Sequence, residues 1–244
     1  MSALGSGRKK YGAKKKAEGE TVLSGLAASP GIAIGRAFVI TQDHPPVPER
    51  TISDTDIQNE INRFHEALEA TRRQLLDIKE NLKSKLTEQT SRIFDAHLLM
   101  LDDVVAVEQT ETLIRQNKYC AEKAFASAIN KITSSLKSPL KGNYLQERLD
   151  DIRDVERRVL ANMLGSEDTS RISLDREAVI VAHDLTPSQT AQFDRRFILG
   201  CVTDVGGTTS HTAILSRSLE IPAVVGLERV TPLVSTGVEI ILDG

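Results

Sequence analysis

The chain is poor in the residues that several classes of protein require. Among its 244 residues there are only two cysteines, no tryptophan and 4% aromatic residues, too few for a disulfide scaffold or for the stacking platforms of single-strand nucleic-acid binders. No apolar run reaches membrane-spanning length, so we expect no membrane partner. The formal net charge of −3 does not favour a nucleic-acid partner either. Hydrophobic residues nevertheless form 40% of the chain, which is enough for a sizeable folded core.

Charge is distributed unevenly along the chain. Residues 1–20 contain six Lys or Arg and two Glu, whereas the remainder is acidic. We interpret residues 1–21 as a disordered basic leader, solvated rather than binding a polyanion. The acidic remainder suits a basic protein partner through electrostatic steering. Cys120 and Cys201 lie in unrelated segments without metal-ligand spacing, which indicates buried thiols in a reduced, cytoplasmic protein and no metal site.

Two kinds of sequence alternate along the chain. Val22–Ile40 is β-branched around a Ser-Pro-Gly turn, which predicts two short strands. A capping-box-like SDTD at residues 53–56 then opens an apolar repeat of three, four and seven residues, which predicts a long amphipathic helix. A fifth helix is predicted over Tyr144–Leu164, with Gly165 as its C-terminal cap. Three helices are predicted in between, over Thr90–Leu101, Val104–Gln116 and Ala121–Leu136.

After residue 174, apolar strand-like segments alternate with two short helical segments, as is typical of α/β proteins. We therefore predict an α/β domain formed by residues 22–52 and 166–244. It is interrupted by an inserted antiparallel α-helical domain over residues 53–165. Glu147, Asp150 and Asp151, which lie in the fifth helix among arginines, are interpreted as part of its solvated salt-bridge face.

The clearest chemical pattern is TDVGGTTSHTAILSRS, residues 203–218. A predicted strand ends there, two glycines follow, and His211 stands at the opening of a predicted helix. Such a helix N-terminus binds anions through its backbone amides, and it favours a neutral, nucleophilic imidazole. An attack of this histidine on a phosphoryl group would place the product dianion at the same amides. The candidate residues that support a phosphate are Gly206, Gly207, Thr209, Ser210 and Arg217.

Four stretches of the chain resemble Enzyme I of the bacterial phosphoenolpyruvate:sugar phosphotransferase system: SGLAASPGIAIGRA, FDAHLLMLDD, DLTPSQTAQ and GGTTSHTAILSRSLEIPAVVGL. The resemblance is to the N-terminal domain of that family and covers roughly residues 22–244. The GG-x-TSH segment is shared with other phosphohistidine domains, such as those of pyruvate phosphate dikinase and phosphoenolpyruvate synthase. The SPGIA-type start and the inserted helices are what favour Enzyme I.

The resemblance implies the role of phosphoenolpyruvate-protein phosphotransferase, acting in sugar uptake. His211 would accept a phosphoryl group on Nε2 from phosphoenolpyruvate and pass it reversibly to the histidine of the phosphocarrier protein HPr. The hydroxyl of Thr186 would contact the resting histidine, and Arg217 would lie near the phosphoryl group. The chain departs from the family at Thr208, where a basic residue is common. The α/β phosphohistidine domain would swivel between its two partners.

The segment FDAHLLMLDD, residues 94–103, resembles part of the HPr-docking domain of that family. Its apolar centre and acidic edge would complement a basic, partly apolar partner surface. Four consecutive apolar residues cannot all be exposed, so we expect some of them in the core. His97 is interpreted as a hydrogen-bonded histidine rather than a ligand or catalytic group. The candidate partner-binding residues are Leu98, Leu99, Met100 and Asp102.

The family's complete enzyme continues into a phosphoenolpyruvate-binding barrel that carries Mg²⁺ and the dimer interface. We therefore expect this chain to be monomeric, to hold no cofactor, and to exchange phosphate with phospho-HPr without using phosphoenolpyruvate alone. Three kinds of alternative remain open, the first of which keeps the chemistry and changes the system. The chain could belong to a nitrogen-type Enzyme I paralogue or to the Enzyme I-like part of a dihydroxyacetone kinase subunit. It could also be a dikinase swivelling domain, or a non-catalytic helical binding module in which His211 is structural.

Overall fold

The computed structural model describes residues 14–15, 21–40, 46–82, 88–136, 143–166 and 174–244. The first four strands are β1 (Lys14–Lys15), β2 (Thr21–Val22), β3 (Leu26–Ser29) and β4 (Ile32–Ile40). Five helices follow: α1 (Ile57–Leu82), α2 (Glu88–Leu101), α3 (Val104–Asn117), α4 (Ala121–Leu136) and α5 (Asn143–Leu164). The last elements are β5 (Ala178–Ala182), α6 (Pro187–Ala191), β6 (Ile198–Thr203), α7 (His211–Ser218), β7 (Ala223–Val225) and β8 (Glu239–Asp243).

Strands β3 to β8 form one mixed sheet in the order β3-β7-β6-β5-β4-β8. The four inner strands run parallel, and the edge strands β3 and β8 run antiparallel to their neighbours. Every residue of β5 is buried, as expected of a central parallel strand. Helices α6 and α7 follow the carboxyl ends of β5 and β6. Because those strands are parallel, both helices begin at the same edge of the sheet, where α/β proteins bind ligands.

Helix α1 buries the apolar stripe that the sequence predicts. Phe64 and Leu75 are 0% and 1% exposed, and Ile61 and Leu68 are also buried. Phe64 packs against Phe125 of α4 with ring centroids 5.5 Å apart. Burial of each large apolar side chain contributes about 1.5–3 kcal/mol. The helical bundle, by which we mean α1–α5, is therefore held together by the residues that its periodicity identifies.

The two ends of the bundle differ in how well the sequence predicts them. The hydroxyl of Ser53 caps no backbone amide and instead donates to Asp56 Oδ2 at 2.6 Å. Asp54–Asp56 forms a 3₁₀ turn, and the α-helix begins only at Ile57. At the other end Gly165 has φ +60°, the left-handed conformation that a glycine cap adopts. The predicted capping box is therefore wrong, whereas the predicted glycine cap is confirmed.

A buried ion network joins α1 to the start of α4. Arg63 donates to Glu60 at 2.8 Å and to Glu122 at 2.5 Å. Glu60 also accepts bonds from Arg50 and from the backbone N–H of Ala121, each at 2.8 Å. Burial by itself raises the pKa of Glu60, but these donors and the charge of Arg63 hold it below its ordinary value. Because the network links distant segments, apolar periodicity does not reveal it.

Most of the basic leader lies outside the described residues. Of that segment, Lys14–Lys15 pairs antiparallel with Thr21–Val22. Within the described ranges no helix is long and apolar enough to cross a membrane. Cys120 and Cys201 are both fully buried, as predicted. Burial raises the pKa of the Cys120 thiol, and it raises the pKa of Cys201 to about 11.

Candidate functional site

His211 is the first residue of α7, where the chain leaves β6 through the glycine-rich turn. Ser210 is the N-cap of this helix, and its hydroxyl accepts a bond from the N–H of Ala213 at 3.4 Å. Gly206 has φ +111°, a conformation that residues with a side chain rarely adopt. A Cβ atom there would also lie 3.3 Å from the Ser210 hydroxyl. The glycine-rich turn thus reverses the direction of the chain, and a helix begins at the histidine.

The histidine lines a cavity of about 480 Å³ between the helical bundle and the sheet. Its walls come from β3, from α5, from the segment that joins β5 to α6, and from the segment that joins β6 to α7. Thr186 and four of the five predicted phosphate-supporting residues lie in these walls, and of this set only Arg217 does not. The residues of this set in the walls are Thr186, Gly206, Gly207, Thr209 and Ser210.

Asp151 of α5 contacts the imidazole of His211. Its Oδ1 lies 3.2 Å from His211 Nδ1 and 3.3 Å from Nε2 of His97. The side chain of Asp151 is only 14% exposed, so its interpretation as part of a solvated salt-bridge face is wrong. Two imidazoles from distant segments converge on one carboxylate oxygen, and nothing in the helical charge pattern shows that convergence. A carboxylate beside a histidine ring nitrogen fixes which nitrogen carries the proton.

His97 is buried at the base of the same cluster. Its Nδ1 lies 3.9 Å from Asp154 Oδ2 and has no hydrogen-bond partner among the described residues. Asp154 also accepts from Arg157 at 2.9 Å and from the N–H of Ser188 in α6 at 3.4 Å. Burial alone raises the pKa of Asp154, but the charges of His97 and Arg157 hold it below its ordinary value. Helix α5 therefore joins the bundle to the sheet through two carboxylates, those of Asp151 and Asp154.

Thr186 caps α6, and no hydrogen bond joins it to His211 among the described residues. Its hydroxyl accepts from the N–H of Gln189 at 3.2 Å, and the Gln189 side chain accepts from the N–H of Thr186 at 3.1 Å. This reciprocal capping box uses as an acceptor the hydroxyl that the resemblance places against the histidine. Among the described side chains, the partner of His211 Nδ1 is Asp151 instead. Thr186 shares the cavity with His211 without a direct bond to it.

Arg217 holds the glycine-rich turn in place. Its guanidinium donates to the carbonyl of Ala28 at 2.7 Å and to the carbonyl of Thr208 at 3.0 Å. These two bonds tie α7 and the turn to β3. The guanidinium thus faces backbone carbonyls outside the cavity lining, and its contact with phosphate stays a prediction.

Asp204 anchors the start of the glycine-rich turn, and the sequence analysis did not identify it as part of the site. Its carboxylate accepts bonds from the backbone N–H groups of Val230 and Thr231 and from the Thr231 hydroxyl. His183 Nδ1 lies 3.1 Å from the same carboxylate. Burial raises the pKa of Asp204, but the bonds from Thr231 and His183 more than offset this and lower it overall. The carboxylate fixes the end of β6, from which the glycine pair departs.

The cavity around His211 is acidic. It is lined by Asp150, Asp151 and Asp184. Burial raises the pKa of Asp184, and the neighbouring Asp150 adds to that rise. A phosphoryl dianion in this cavity would be repelled by ionised carboxylates, so the arrangement suits an unphosphorylated histidine. The described residues contain no cluster of three or more His, Cys, Asp or Glu side chains that could hold a metal ion.

An exposed apolar patch lies where α2 passes into α3. Leu99 is 72% exposed, and Val104 and Val105 are 63% and 54% exposed. We call these three residues the α2–α3 patch. Leu98 and Met100 are half-buried and pack against the core. Leu99 is thus the exposed member of the predicted apolar set, and the two valines were missed because they follow the matched segment.

Asp102 lies beside the α2–α3 patch on an exposed turn. Its carboxylate forms an ion pair with Arg72 of α1 at 2.5 Å, and that bond holds the pKa of Asp102 below its ordinary value. The next residue, Asp103, caps α3 by accepting from the N–H of Ala106 at 3.0 Å. The acidic edge predicted for this segment is therefore present, with Asp102 partly neutralised by its arginine.

Two family models match the chain. The model described as PEP-utilising enzyme, N-terminal, matches residues 24–148, and the model described as PEP-utilising enzyme, mobile domain, matches residues 174–244. A phosphoenolpyruvate-protein phosphotransferase of Listeria innocua is 43% identical over 222 residues, which is 91% of this chain and 38% of the relative. The protein of the same description from Haemophilus influenzae is 41% identical with the same coverage. The chain thus spans under two fifths of the length of these relatives.

Solved structures agree with the sequence comparisons. An NMR solution structure of Enzyme I (nEIt) superposes with a TM-score of 0.68 at 42% identity, covering 91% of this chain and 89% of that one. An N-terminal domain of Enzyme 1 - Nitrogen superposes with a TM-score of 0.62 at 24% identity, covering 91% and 90%, and supports the fold alone. Since the two family models account for most of its residues, the chain belongs to the family of PEP-utilising enzymes and is similar to the N-terminal region of Enzyme I.

Proposed function

We propose that this chain is the N-terminal phosphoryl-transfer region of an Enzyme I. His211 accepts a phosphoryl group that originates from phosphoenolpyruvate and passes it reversibly to the histidine of HPr. The observation that carries this proposal is the placement of His211 at the N-terminus of α7, in a cavity bounded by the glycine-rich turn. Backbone amides at that position support a transferring anion without any metal ion.

The transfer is an in-line displacement between two imidazoles. The lone pair of His211 Nε2 forms a bond to phosphorus while the bond from phosphorus to the carrier nitrogen breaks, and its electron pair returns to the carrier imidazole. No strong base is required, because each imidazole is neutral when it attacks. The protein contributes position and electrostatic support. Gly206, Gly207, Thr209 and Ser210 surround the transferring group in this proposal.

The arrangement of elements supports two functional domains. Residues 22–52 and 166–244 form the α/β phosphohistidine domain, and residues 53–165 form an inserted helical domain that docks HPr. The five helices follow one another between β4 and β5, so the chain leaves and re-enters the same sheet. The acidic cavity favours departure of the histidine once it is phosphorylated. We therefore infer a swivelling movement of the α/β domain relative to the helical bundle.

The α2–α3 patch is the proposed docking surface for HPr. Leu99 stands at its centre with acidic Asp102 beside it, and this combination suits a basic, partly apolar partner. Leu98 and Met100 support the patch from beneath. Exposed apolar clusters with a polar rim are typical of protein interaction sites.

The remaining proposals concern the complete protein. The relatives are more than twice as long as this chain, and we place phosphoenolpyruvate binding, Mg²⁺ and dimerisation in the part they have beyond the matched region. Two buried cysteines without a disulfide fit a cytoplasmic protein. The nitrogen-type paralogue is the second candidate, because the solved nitrogen-type domain shares this fold.

The test is incubation of the chain with ³²P-labelled phospho-HPr, with a labelled nitrogen-type carrier in parallel. Acid-labile, alkali-stable label on the wild type that disappears in His211→Ala supports the phosphohistidine relay. His65→Ala is the matched control, because His65 lies on an exposed face of α1 and pairs with Glu111. Label that persists in His211→Ala would refute the assignment. Label from the nitrogen-type carrier alone would favour the paralogue.

A further inference from the structure

One carboxylate of the helical bundle faces the reactive histidine of the sheet. Asp151 Oδ1 lies 3.2 Å from His211 Nδ1, at the end of the ring away from Nε2. A carboxylate can only accept a proton, so its oxygen 3.2 Å from Nδ1 favours a proton on that nitrogen over a lone pair. A neutral imidazole with its proton on Nδ1 has a free lone pair on Nε2. The negative charge beside Nδ1 therefore favours one of the two neutral tautomers.

Asp151 is itself held in place from several sides. His97 Nε2 contacts the same Oδ1 at 3.3 Å, and His97 is fully buried. One turn further along α5, Asp154 accepts from the backbone of Ser188 and from Arg157, which fixes the helix against α6. A carboxylate supported in this way keeps the ring of its partner in one orientation. Supporting contacts of this kind determine how precisely a reactive side chain is placed.

We propose that Asp151 is a positioning residue for phosphoryl transfer, which sets the tautomer and the orientation of His211 so that Nε2 is the nucleophile. This inference rests on the proposed function. During attack the Nε2 lone pair forms the bond to phosphorus, the bond to the donor nitrogen breaks, and the Nδ1 proton stays on the ring. The positive charge that the ring gains faces the Asp151 carboxylate. In the return transfer the N–P bond breaks and its electron pair goes back to Nε2.

The two partners in this contact belong to different parts of the fold. Asp151 lies on α5 of the helical bundle, whereas His211 opens α7 beside the sheet. The tautomer is therefore set only while the bundle and the sheet are packed together as described. Movement of the sheet away from α5 would remove the acceptor from Nδ1 and allow both tautomers. The contact thus links the reactivity of the histidine to the arrangement of the two regions.

Asp151→Ala tests this role, because alanine keeps the helix and removes the acceptor. Asp175→Ala is the matched control, since that carboxylate is 82% exposed and pairs only with neighbouring Arg176 among the described residues. Long-range ¹H–¹⁵N spectra of the histidine rings, recorded without any partner, report which nitrogen carries the proton. We expect protonated Nδ1 and unprotonated Nε2 in the wild type and the control, and loss of that pattern in Asp151→Ala. The initial rate of transfer from phospho-HPr should fall on the order of tenfold to a hundredfold.

The outcomes separate this inference from the proposed function. A wild-type spectrum with the proton on Nε2 of His211 would overturn the inference even if the alanine variant did not fold. A slower transfer in Asp151→Ala with an unchanged tautomer would also overturn it, since it would indicate a structural or docking role. Absence of label on the wild type would refute the proposed function. The partner-free spectra would still support or overturn the contact between Asp151 and His211.

Discussion

Glu156 of α5 places an acidic group against the apolar interior of the helical bundle. Its side chain lines a cavity of about 200 Å³, whose walls include Phe64, Leu68 and Phe125. Burial raises the pKa of Glu156 from its ordinary 4.5 to about 7, and the charge of Arg153 opposes this only in part. At neutral pH the folded chain therefore holds a carboxyl group that titrates close to the working pH.

The direction of the stability change follows from this higher pKa. The folded chain binds the proton of Glu156 more tightly than the unfolded chain does. At acid pH the carboxyl is neutral in both states, and its burial then costs no ionisation energy. As pH rises from 4.5 through about 7, the unfolded chain ionises first and the folded state loses stability relative to it. Each pH unit in this window corresponds to about 1.4 kcal/mol. Above pH 7 the ionised Glu156 therefore lowers the free energy of unfolding by about 3 kcal/mol.

Glu156→Gln removes this penalty, because glutamine has a similar shape and cannot ionise. Urea unfolding should show the variant more stable than the wild type by up to about 3 kcal/mol at roughly pH 8.5, with the difference close to zero at roughly pH 4. Glu66→Gln is the matched control, since Glu66 is an exposed residue of α1. An equal difference between variant and wild type at both pH values would refute the reasoning. So would a less stable variant at the higher pH.

Three further changes test the interaction surface, the turn and the ion network. Leu99→Lys should weaken the proposed binding of HPr, measured by calorimetry, by about tenfold or more, because a buried large apolar side chain contributes about 1.5–3 kcal/mol. Gly206→Ala should lower the free energy of unfolding in urea by about 1–3 kcal/mol, because its φ of +111° strains any side chain. Arg63→Leu should lower it by about 3 kcal/mol, because it removes the cation between buried Glu60 and Glu122.

Each of these changes has a matched control. Leu233→Lys alters a residue that is 57% exposed in the sheet region, away from the α2–α3 patch, and should leave HPr binding unchanged. Gly207→Ala meets no atom within 4 Å among the described residues and should cost less stability than Gly206→Ala. Arg73→Leu alters an exposed residue of α1. Equal effects in a variant and its control would contradict the corresponding explanation.

The sequence predicts the helical bundle well because helices are local. Helix α4 was predicted over Ala121–Leu136 and has those bounds, and α3 and α5 differ from their predicted bounds by one residue. The strands were located by their apolar character and by glycine and proline punctuation. Their order in the sheet could not be derived, since β3 pairs with β7 and β4 with β8 across most of the chain. Pairings at such separations depend on how the whole chain packs.

The candidate site was predicted where its residues are close in sequence. The glycine-rich turn, the cap at Ser210 and the helix that starts at His211 form one continuous pattern. Asp151 could not be identified, because its neighbours on α5 are arginines and the pattern indicates a solvated face. Asp204 precedes the glycine pair directly, but its partners come from a loop near residue 230. The positions and partners of both carboxylates depend on contacts between distant segments rather than on local propensity.

The buried thiols allow the two regions of the protein to be followed separately. Cys120 lies directly before α4 in the bundle, and Cys201 lies in β6 of the sheet. Alkylating reagents attack thiolates, and both groups are shielded from solvent with raised pKa values. Each sulfur therefore reacts only when the segment around it opens. In pulsed alkylation followed by mass spectrometry, the order in which the two sites are modified reports which region unfolds first.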